Sequence, residues 1–496
     1  MDGFCFSSGQ VAGKNLFYIL LQKRNNSQED LIQGPLFPAI VRLAIPLLLA
    51  NLMQTAYNII DTYWVGRLGE EAIAAISLAF PIIFLIISFG AGLTIAGTVL
   101  IAQYTGRQDQ ENVDLTAGQT IILLVNVSVV ISLVGFFASH PILQLMGAEP
   151  GVLGKATVYL KILFGGAVFM FMFFVFQSIL RGWGDTRTPM WVMFWSVLAN
   201  TLLDPLLILG IGPFPKMGIA GAAWATIISR GAAAVVGLWI LFSGRKLLHI
   251  RFRHLWPDWQ MQWRLIKLGI PASVEQSITA LGITAMIFIV ADFGTTVVAA
   301  YGIGARVLSF VIVPAFAISM ATSTTLGQNF GAGQLERAEK AGWIGAGTGF
   351  GALTLFGVLL FLFAEPVTAA FIKDNAEVVR LGSEFLRIMA LTFGFFSLQL
   401  VFNGAFRGAG KTTTAMMMAF IAFWVTRIPV AYLLANTLEM GPQGIWWAFP
   451  ISIVFMGLLT TFWFWLGRWK RAEPDRETRM KARIIGETEL DEGVND

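Results

Sequence analysis

Two residues capable of binding an ion, Asn200 and Asp204, stand four apart in Trp195–Leu207 (WSVLANTLLDPLL), a run whose remaining residues mostly suit lipid. At helical spacing the two side chains stack on one face, so their oxygens can converge on one small ligand. Pro205 follows and has no N–H for the carbonyl of Thr201, which leaves a third oxygen available beside the carboxylate. An aspartate at mid-membrane costs about 2.5–3.5 kcal/mol on insertion scales, and such a residue by default marks an ion, proton or substrate site. The competing role is a structural pin against an arginine. The span that carries Asp204 supplies none between Trp195 and Leu209.

A second polar set lies in NLMQTAYNIIDTYWVG, which carries Gln54, Tyr57, Asn58 and Asp61, with Pro46 just before it. Tyr57 and Asp61 are four apart and offer a hydroxyl and a carboxylate to one side. Asp61 is either cavity-facing or a helix-end residue beside Arg67 and Glu70. Thr226 adds a hydroxyl in Gly218-Ile-Ala-Gly-Ala-Ala-Trp-Ala-Thr226, where a lone threonine commonly bonds its own backbone. Glu275, in IPASVEQSIT, either lines a cavity or packs near the end of its helix. Hard cations such as Na⁺ prefer oxygen ligands, and Asp61, Asn200, Asp204 and Thr226 offer only those.

These residues need helices to place them. The chain has 496 residues, 56% of them hydrophobic and 13% charged, with a mean hydropathy of +0.69. No water-soluble core absorbs that much apolar surface, so the sequence reads as an all-α polytopic membrane protein. Runs such as Phe80–Val99 do not alternate, which excludes an outer-membrane barrel. Twelve spans are expected at about 37–66, 72–102, 115–139, 155–180, 188–211, 218–243, 262–291, 296–326, 340–364, 380–405, 413–436 and 443–467. Arg107, Arg181, Arg187, Arg245, Lys246, Arg251, Arg253, Arg337, Arg407 and Lys411 fall in one set of alternate connections. Only Arg67, Lys216 and Lys373 fall in the other, which places both termini in the cytoplasm. The apolar patch Asn15–Leu21 is too short to span and lacks a small-residue cleavage site, so it reads as a tail or interfacial segment.

Several chemistries are excluded. One cysteine, Cys5, leaves no intramolecular disulfide, and His140, His249 and His254 share no helical spacing for a metal. Gly408-Ala-Gly-Lys-Thr412 imitates the end of a phosphate loop, but the required earlier glycine is Ala405 and no strand precedes it. It reads as a tight turn. No catalytic triad, cofactor fingerprint or nucleic-acid motif is present, so the chain is expected not to be an enzyme and to need no cofactor.

The chain also repeats itself. Ile40-Val-Arg-Leu-Ala-Ile-Pro46 reads onto Leu265-Ile-Lys-Leu-Gly-Ile-Pro271, Gly69 onto Gly294 and Gln103-Tyr-Thr-Gly106 onto Gln328-Asn-Phe-Gly331. Arg181-Gly-Trp-Gly-Asp-Thr186 meets Arg407-Gly-Ala-Gly-Lys-Thr412 one residue further on. Two six-helix lobes in the same orientation, related by an internal parallel repeat, form an architecture used by transporters that rock about a central site. The divisions are a tail at 1–35, an N-lobe at 36–243, a linker at 244–261, a C-lobe at 262–467 and a tail at 468–496. Asp61 falls on Met286 and Asp204 near Val430, so the paired acids belong to the N-lobe alone.

The ordered set Asp61-Thr-Tyr-Trp-Val-Gly66, Gln103-Tyr-Thr-Gly106, Arg181-Gly-Trp-Gly-Asp-Thr186, Asn200-x3-Asp204-Pro205 and Gly218-x2-Gly221-Ala-Ala resembles the multidrug and toxic compound extrusion (MATE) family over about 36–467. The resemblance implies an antiporter of the plasma (inner) membrane that exports bulky, often cationic amphipathic compounds in exchange for Na⁺ or H⁺. It implies a prokaryotic-type N-lobe cation site at Asp61, Asn200, Asp204 and Thr226, with Tyr57 beside them and Pro46 where the first span bends. A branch of the family uses carboxylates on spans 7 and 10; this chain has Glu275, but Leu386–Ala405 has no acid. Gln54, Asn58, Gln177 and Glu275 are assigned to the substrate cavity, and the protein is expected to act as a monomer in the bilayer. The alternatives are a lipid-linked precursor flippase of the same superfamily, or an integral membrane enzyme or receptor.

Overall fold

A computed structural model of the chain describes residues 31–244, 249–371 and 375–471. Cys5, the patch Asn15–Leu21, Arg245, Lys246, Lys373 and most of both tails lie outside the described residues. Among the described residues the ordered elements are helical, with no strand.

The first half contains α1 (Leu36–Gly66), α2 (Glu70–Gly106), α3 (Gln110–Leu145), α4 (Pro150–Gly165), α5 (Ala167–Trp183), α6 (Arg187–Leu209) and α7 (Ile219–Phe242). The second contains α8 (Trp259–Ala291), α9 (Thr295–Gly331), α10 (Leu335–Leu362), α11 (Ala364–Phe371), α12 (Ala376–Ala390), α13 (Phe393–Gly408) and α14 (Thr412–Phe420). From α14 the chain continues through a π-helical turn (Ile421–Arg427), α15 (Ile428–Tyr432) and a second π turn (Leu433–Thr437), then α16 (Pro442–Trp465). Among the described residues ten helical stretches are long and apolar enough to cross a membrane unaided. Two bent pairs, α4 with α5 at 49° and α12 with α13 at 56°, bring the number to twelve. The bent pairs occupy corresponding places in the two halves.

Several helices run past the apolar stretches that mark them in sequence, because polar caps start them in the flanking polar segments. The Asp109 carboxylate accepts from the Asn112 N–H (3.1 Å) and so starts α3 well before 115. Asp258 does the same for the Met261 N–H (2.8 Å), so α8 begins inside the stretch read as linker. The linker is fastened to α3 by Asp114, whose Oδ1 accepts from the His249 N–H (3.0 Å), and by Gln119. The Gln119 amide donates to the carbonyls of His254 (2.8 Å) and Trp256 (2.6 Å), and its oxygen accepts from the Asp258 N–H (3.0 Å).

Each half builds its own core. Phe171, Phe173 and Phe176 are fully buried in the first, and Phe385, Phe393 and Trp446 in the second. Val130, Leu133, Val134 and Phe137 on α3 are exposed instead, an outer apolar face of the kind a bilayer covers.

The lobes meet at the end where the described residues begin and finish, since Leu31 and Trp469 share a cluster with residues of both halves. Ala39, Ile40, Leu43 and Ala44 of α1 share a cluster with Ile318, Ala321 and Phe402 of the second half. Beyond Pro46, Tyr57 of the same helix bonds within the first half, so α1 passes from one lobe to the other. The helix is continuous through Pro46, and the Leu43 carbonyl accepts from the Thr186 hydroxyl (3.2 Å).

The repeated motifs form the join. The Gln103 amide donates to the Gly408 carbonyl (3.0 Å), and its repeat partner Gln328 donates to the Gly182 carbonyl (3.1 Å). The backbones touch with the same reciprocity: a Cβ on Gly106 would stand 1.8 Å from the Gln328 carbonyl oxygen, and one on Gly331 1.9 Å from that of Gln103. The Arg-Gly-x-Gly segments close in tight turns, with Gly184 and Gly410 at positive φ.

Candidate cation site

Three helices bring the N-lobe polar residues together. Asn200 and Asp204 lie on α6, Tyr57 and Asp61 on α1 and Thr226 on α7. The packing of α1 against α6, and of α6 against α7, is close enough for direct bonds. The Tyr57 hydroxyl donates to Thr226 Oγ1 (2.9 Å), tying α1 to α7 across the lobe. Along α6 the Asn200 amide donates to Asp204 Oδ1 (3.3 Å), as four-residue spacing predicts.

What this cluster leaves unsatisfied matters more than what it satisfies. Asn200 and Asp204 are fully buried, yet Asn200 Oδ1 and Asp204 Oδ2 accept no hydrogen bond. Asp61 Oδ1 is likewise sealed and partnerless, although the residue as a whole is only half-buried. A buried acceptor without a donor costs about 1–3 kcal/mol, and more when it carries charge. Three such oxygens from two helices, with the Thr226 hydroxyl nearby, form the lining expected for a proton or a small hard cation. Among the described residues no group of three His, Cys, Asp or Glu side chains forms a metal site.

An arginine that sequence reasoning passed over belongs to this cluster. Arg230 is buried one turn beyond Thr226, so it shares that face of α7. Its guanidinium lies over the Tyr57 ring, 5.0 Å from the centroid, and donates to Gln54 Oε1 (3.4 Å). Gln54 in turn donates to Asn58 Oδ1 (3.2 Å), which carries the chain of contacts toward the exposed side of α1. The arginine feels the charge of Asp61 but makes no ion pair with it at contact distance. Tyr159, buried on α4, stands within electrostatic reach of Asp61, Asp204 and Arg230. Arg230 was detectable as a charge four residues from Thr226 in an apolar run. Tyr159 was not, because nothing local distinguishes it from a packing tyrosine.

The remaining expected positions fall elsewhere. Gln177 is half-buried on α5 and makes no side-chain hydrogen bond among the described residues. Glu275 is at the lobe interface rather than in the oxygen cluster. Its Oε1 pairs with Arg407 Nη1 (3.3 Å), both side chains being 6% exposed. Arg407 also donates to Ser319 Oγ (3.3 Å), while Arg181, its repeat partner, reaches Met320 Sδ (3.5 Å) across the join.

Comparison with known proteins identifies the family. A family profile described as MatE matches residues 46–206 and 271–433, once in each half. The chain is 30% identical over 462 residues to the probable multidrug resistance protein YoeA of Bacillus subtilis, covering 91% of this chain and 99% of that one. It is 29% identical over 447 residues to the probable multidrug resistance protein NorM of Thermotoga maritima, covering 88% and 94%. A solved outward-facing multidrug resistance MATE family transporter of the MOP superfamily superposes with a TM-score of 0.83 at 26% identity, covering 88% of this chain and 97% of that one.

Proposed function

The chain belongs to the MatE family of membrane transporters, and from that premise we propose that it is a secondary antiporter exporting amphipathic, often cationic compounds in exchange for Na⁺ or H⁺. The observation that carries the coupling half of this reading is the set of donorless buried oxygens on Asp61, Asn200 and Asp204. Two carboxylates in a low-dielectric lobe repel each other, and a proton or Na⁺ between them removes both the repulsion and the desolvation cost. Arg230 offsets one of the two charges. A single monovalent cation therefore brings the cluster to neutrality, and its loss leaves one uncompensated charge.

That change in charge acts on α1, which carries Asp61 in one lobe and packs its first turns against the other. Tyr57 is the mechanical link, because its hydroxyl joins α1 to the Thr226 side of the site. Cation binding thus favours one placement of α1 relative to α7 and release favours another, with Pro46 the place where the helix bends. The reading needs no cofactor besides the coupling ion. It places the protein in the plasma membrane as a monomer with both termini cytoplasmic.

The test is efflux of a fluorescent amphipathic cation from proteoliposomes under Na⁺ and pH gradients imposed separately. The wild-type protein moves the dye under at least one gradient. Asp204→Asn keeps the side chain's shape, binds dye and loses gradient-driven transport; normal transport by that variant under both gradients would refute the coupling role.

A further inference from the structure

The C-lobe holds a charge with no counterpart in the scheme above. Arg427 ends the first π-helical turn of the eleventh span, well inside Thr412–Thr437, and is 7% exposed. Its Nε donates to Ser452 Oγ (3.0 Å), and its guanidinium is flanked by the rings of Phe423 (4.5 Å to the centroid) and Phe449 (4.9 Å). Among the described residues the two terminal nitrogens make no hydrogen bond, and no carboxylate lies within ion-pair distance. Aromatic faces soften a cation's burial but leave its charge uncompensated.

The internal repeat says what place this is. Gly218 and Gly441 start their helices with the same backbone conformation, φ 58 and φ 59. Each follows a matched pair of bonds: the N–H groups of Met217 and Gly218 donate to Leu207 and Ile208, and those of Met440 and Gly441 to Leu434 and Ala435. Counting back from these bonds sets Ala431 opposite Asp204 and Arg427 opposite Asn200, one residue beyond the register of the Arg-Gly-x-Gly turns. The π-helical stretch takes up the extra residue. Counting forward sets Phe449 where Thr226 stands. The position that in the N-lobe offers oxygens to a cation therefore offers, in the C-lobe, a guanidinium framed by aromatic rings and no acid.

We propose that Arg427 is the anchor of a second, oppositely charged subsite, which takes the oxyanion of a transported amphiphile, a carboxylate or phosphate carried on an aromatic or apolar body. The guanidinium's free edge presents two parallel N–H donors, the geometry that carboxylates and phosphates accept. In the adjoining aromatic cluster the indole N–H of Trp446 is buried without a partner among the described residues, and its ring stacks parallel to Tyr301 at 6.3 Å. Tyr301 and Phe385 pack against Phe449 at 6.2 and 5.6 Å and fix that ring from the core side, while Phe423, on the guanidinium's other flank, is only partly buried and offers a flat apolar face. This assignment rests on the transport reading and extends it: the substrates include zwitterions and anions, besides cations.

A matched dye pair tests it. Rhodamine 110 carries a free carboxylate and its methyl ester does not, so one group separates them. Binding to purified protein in phosphatidylcholine nanodiscs is followed by fluorescence anisotropy, which requires no transport. The expected result is that Arg427→Met weakens rhodamine 110 binding at least tenfold and leaves the ester within twofold, while Arg427→Lys keeps part of the difference. Equal weakening of both dyes, or no change in either, overturns the proposal. So does a wild-type protein that shows no difference between carboxylate and ester, a comparison that needs no variant. If the carboxylate dependence disappears when phosphatidylglycerol replaces phosphatidylcholine, the pocket belongs to a lipid headgroup and the substrate assignment fails. Efflux of both dyes is measured separately: absence of any gradient-driven efflux with the binding difference intact refutes the antiporter reading and not the subsite.

Discussion

At the scale of single residues, the candidate N-lobe site is defined by atoms that lack partners. Arg230 is the residue whose removal says most about its charge balance. If the guanidinium offsets one carboxylate, Arg230→Gln leaves two to be neutralised, and the coupling ratio rises from one cation per substrate toward two. Reversal potentials in proteoliposomes under opposed ion and substrate gradients measure that ratio directly; an unchanged ratio would mean that Arg230 only packs against Tyr57. Asn200→Ala removes a neutral oxygen ligand without altering charge. It is expected to weaken Na⁺-driven transport more than proton-driven transport, because a proton needs one acceptor and Na⁺ needs several. Dose curves for Na⁺ in the two backgrounds show the shift.

At the scale of elements, the lobes are held together by reciprocal contacts between repeat partners, and these contacts explain why glycine stands at 106 and 331. A Cβ at either position would collide with a backbone carbonyl that cannot retreat without moving its helix. Gly106→Ala is therefore expected to shift the population toward the state in which this end is open, read out as faster labelling of a cysteine introduced at Gln328. Glu275 belongs at this scale too. Its pairing with Arg407 fixes α8 against α13, and breaking a buried pair by removing one partner costs about 3–5 kcal/mol. Glu275→Gln should lower the thermal midpoint in detergent while leaving the ion-to-substrate ratio as in the wild type. Loss of coupling at unchanged stability would move the ion chemistry into the C-lobe.

At the scale of the whole molecule, the two ends of the helix bundle differ in what they expose. The end that carries the termini also carries the linker, whose Phe252, Trp256 and Trp259 are 83%, 78% and 81% exposed beside Arg251 and Arg253. Aromatic and basic residues exposed together on a membrane protein suit the headgroup layer of the cytoplasmic leaflet. A cysteine at Arg253 in a Cys5→Ser background is expected to react with an impermeant thiol reagent from the cytoplasmic side alone. Arg407 is a poor probe for the same purpose, because its side chain is buried in the join; the exposed Arg107 replaces it.

Composition and period settled the large features without coordinates. Apolar runs of membrane length, broken by short polar intervals, leave the backbone no alternative to helices, because lipid offers its N–H and C=O groups no partner. Two halves in register imply two lobes, and Asn200 and Asp204 at four-residue spacing imply one face. What spacing could not decide is what faces what across helices. Whether Thr226 bonds its own backbone or Tyr57, and whether Glu275 lines a cavity or pins Arg407, depends on rotations and tilts that arise when a lobe packs. Arg230 was visible as a charge in an apolar run, but its position over Tyr57 exists only once α1 and α7 touch. The one-residue π-helical insertion that brings Arg427 level with Asn200 is likewise a property of backbone hydrogen bonds, which a sequence alignment without coordinates does not contain.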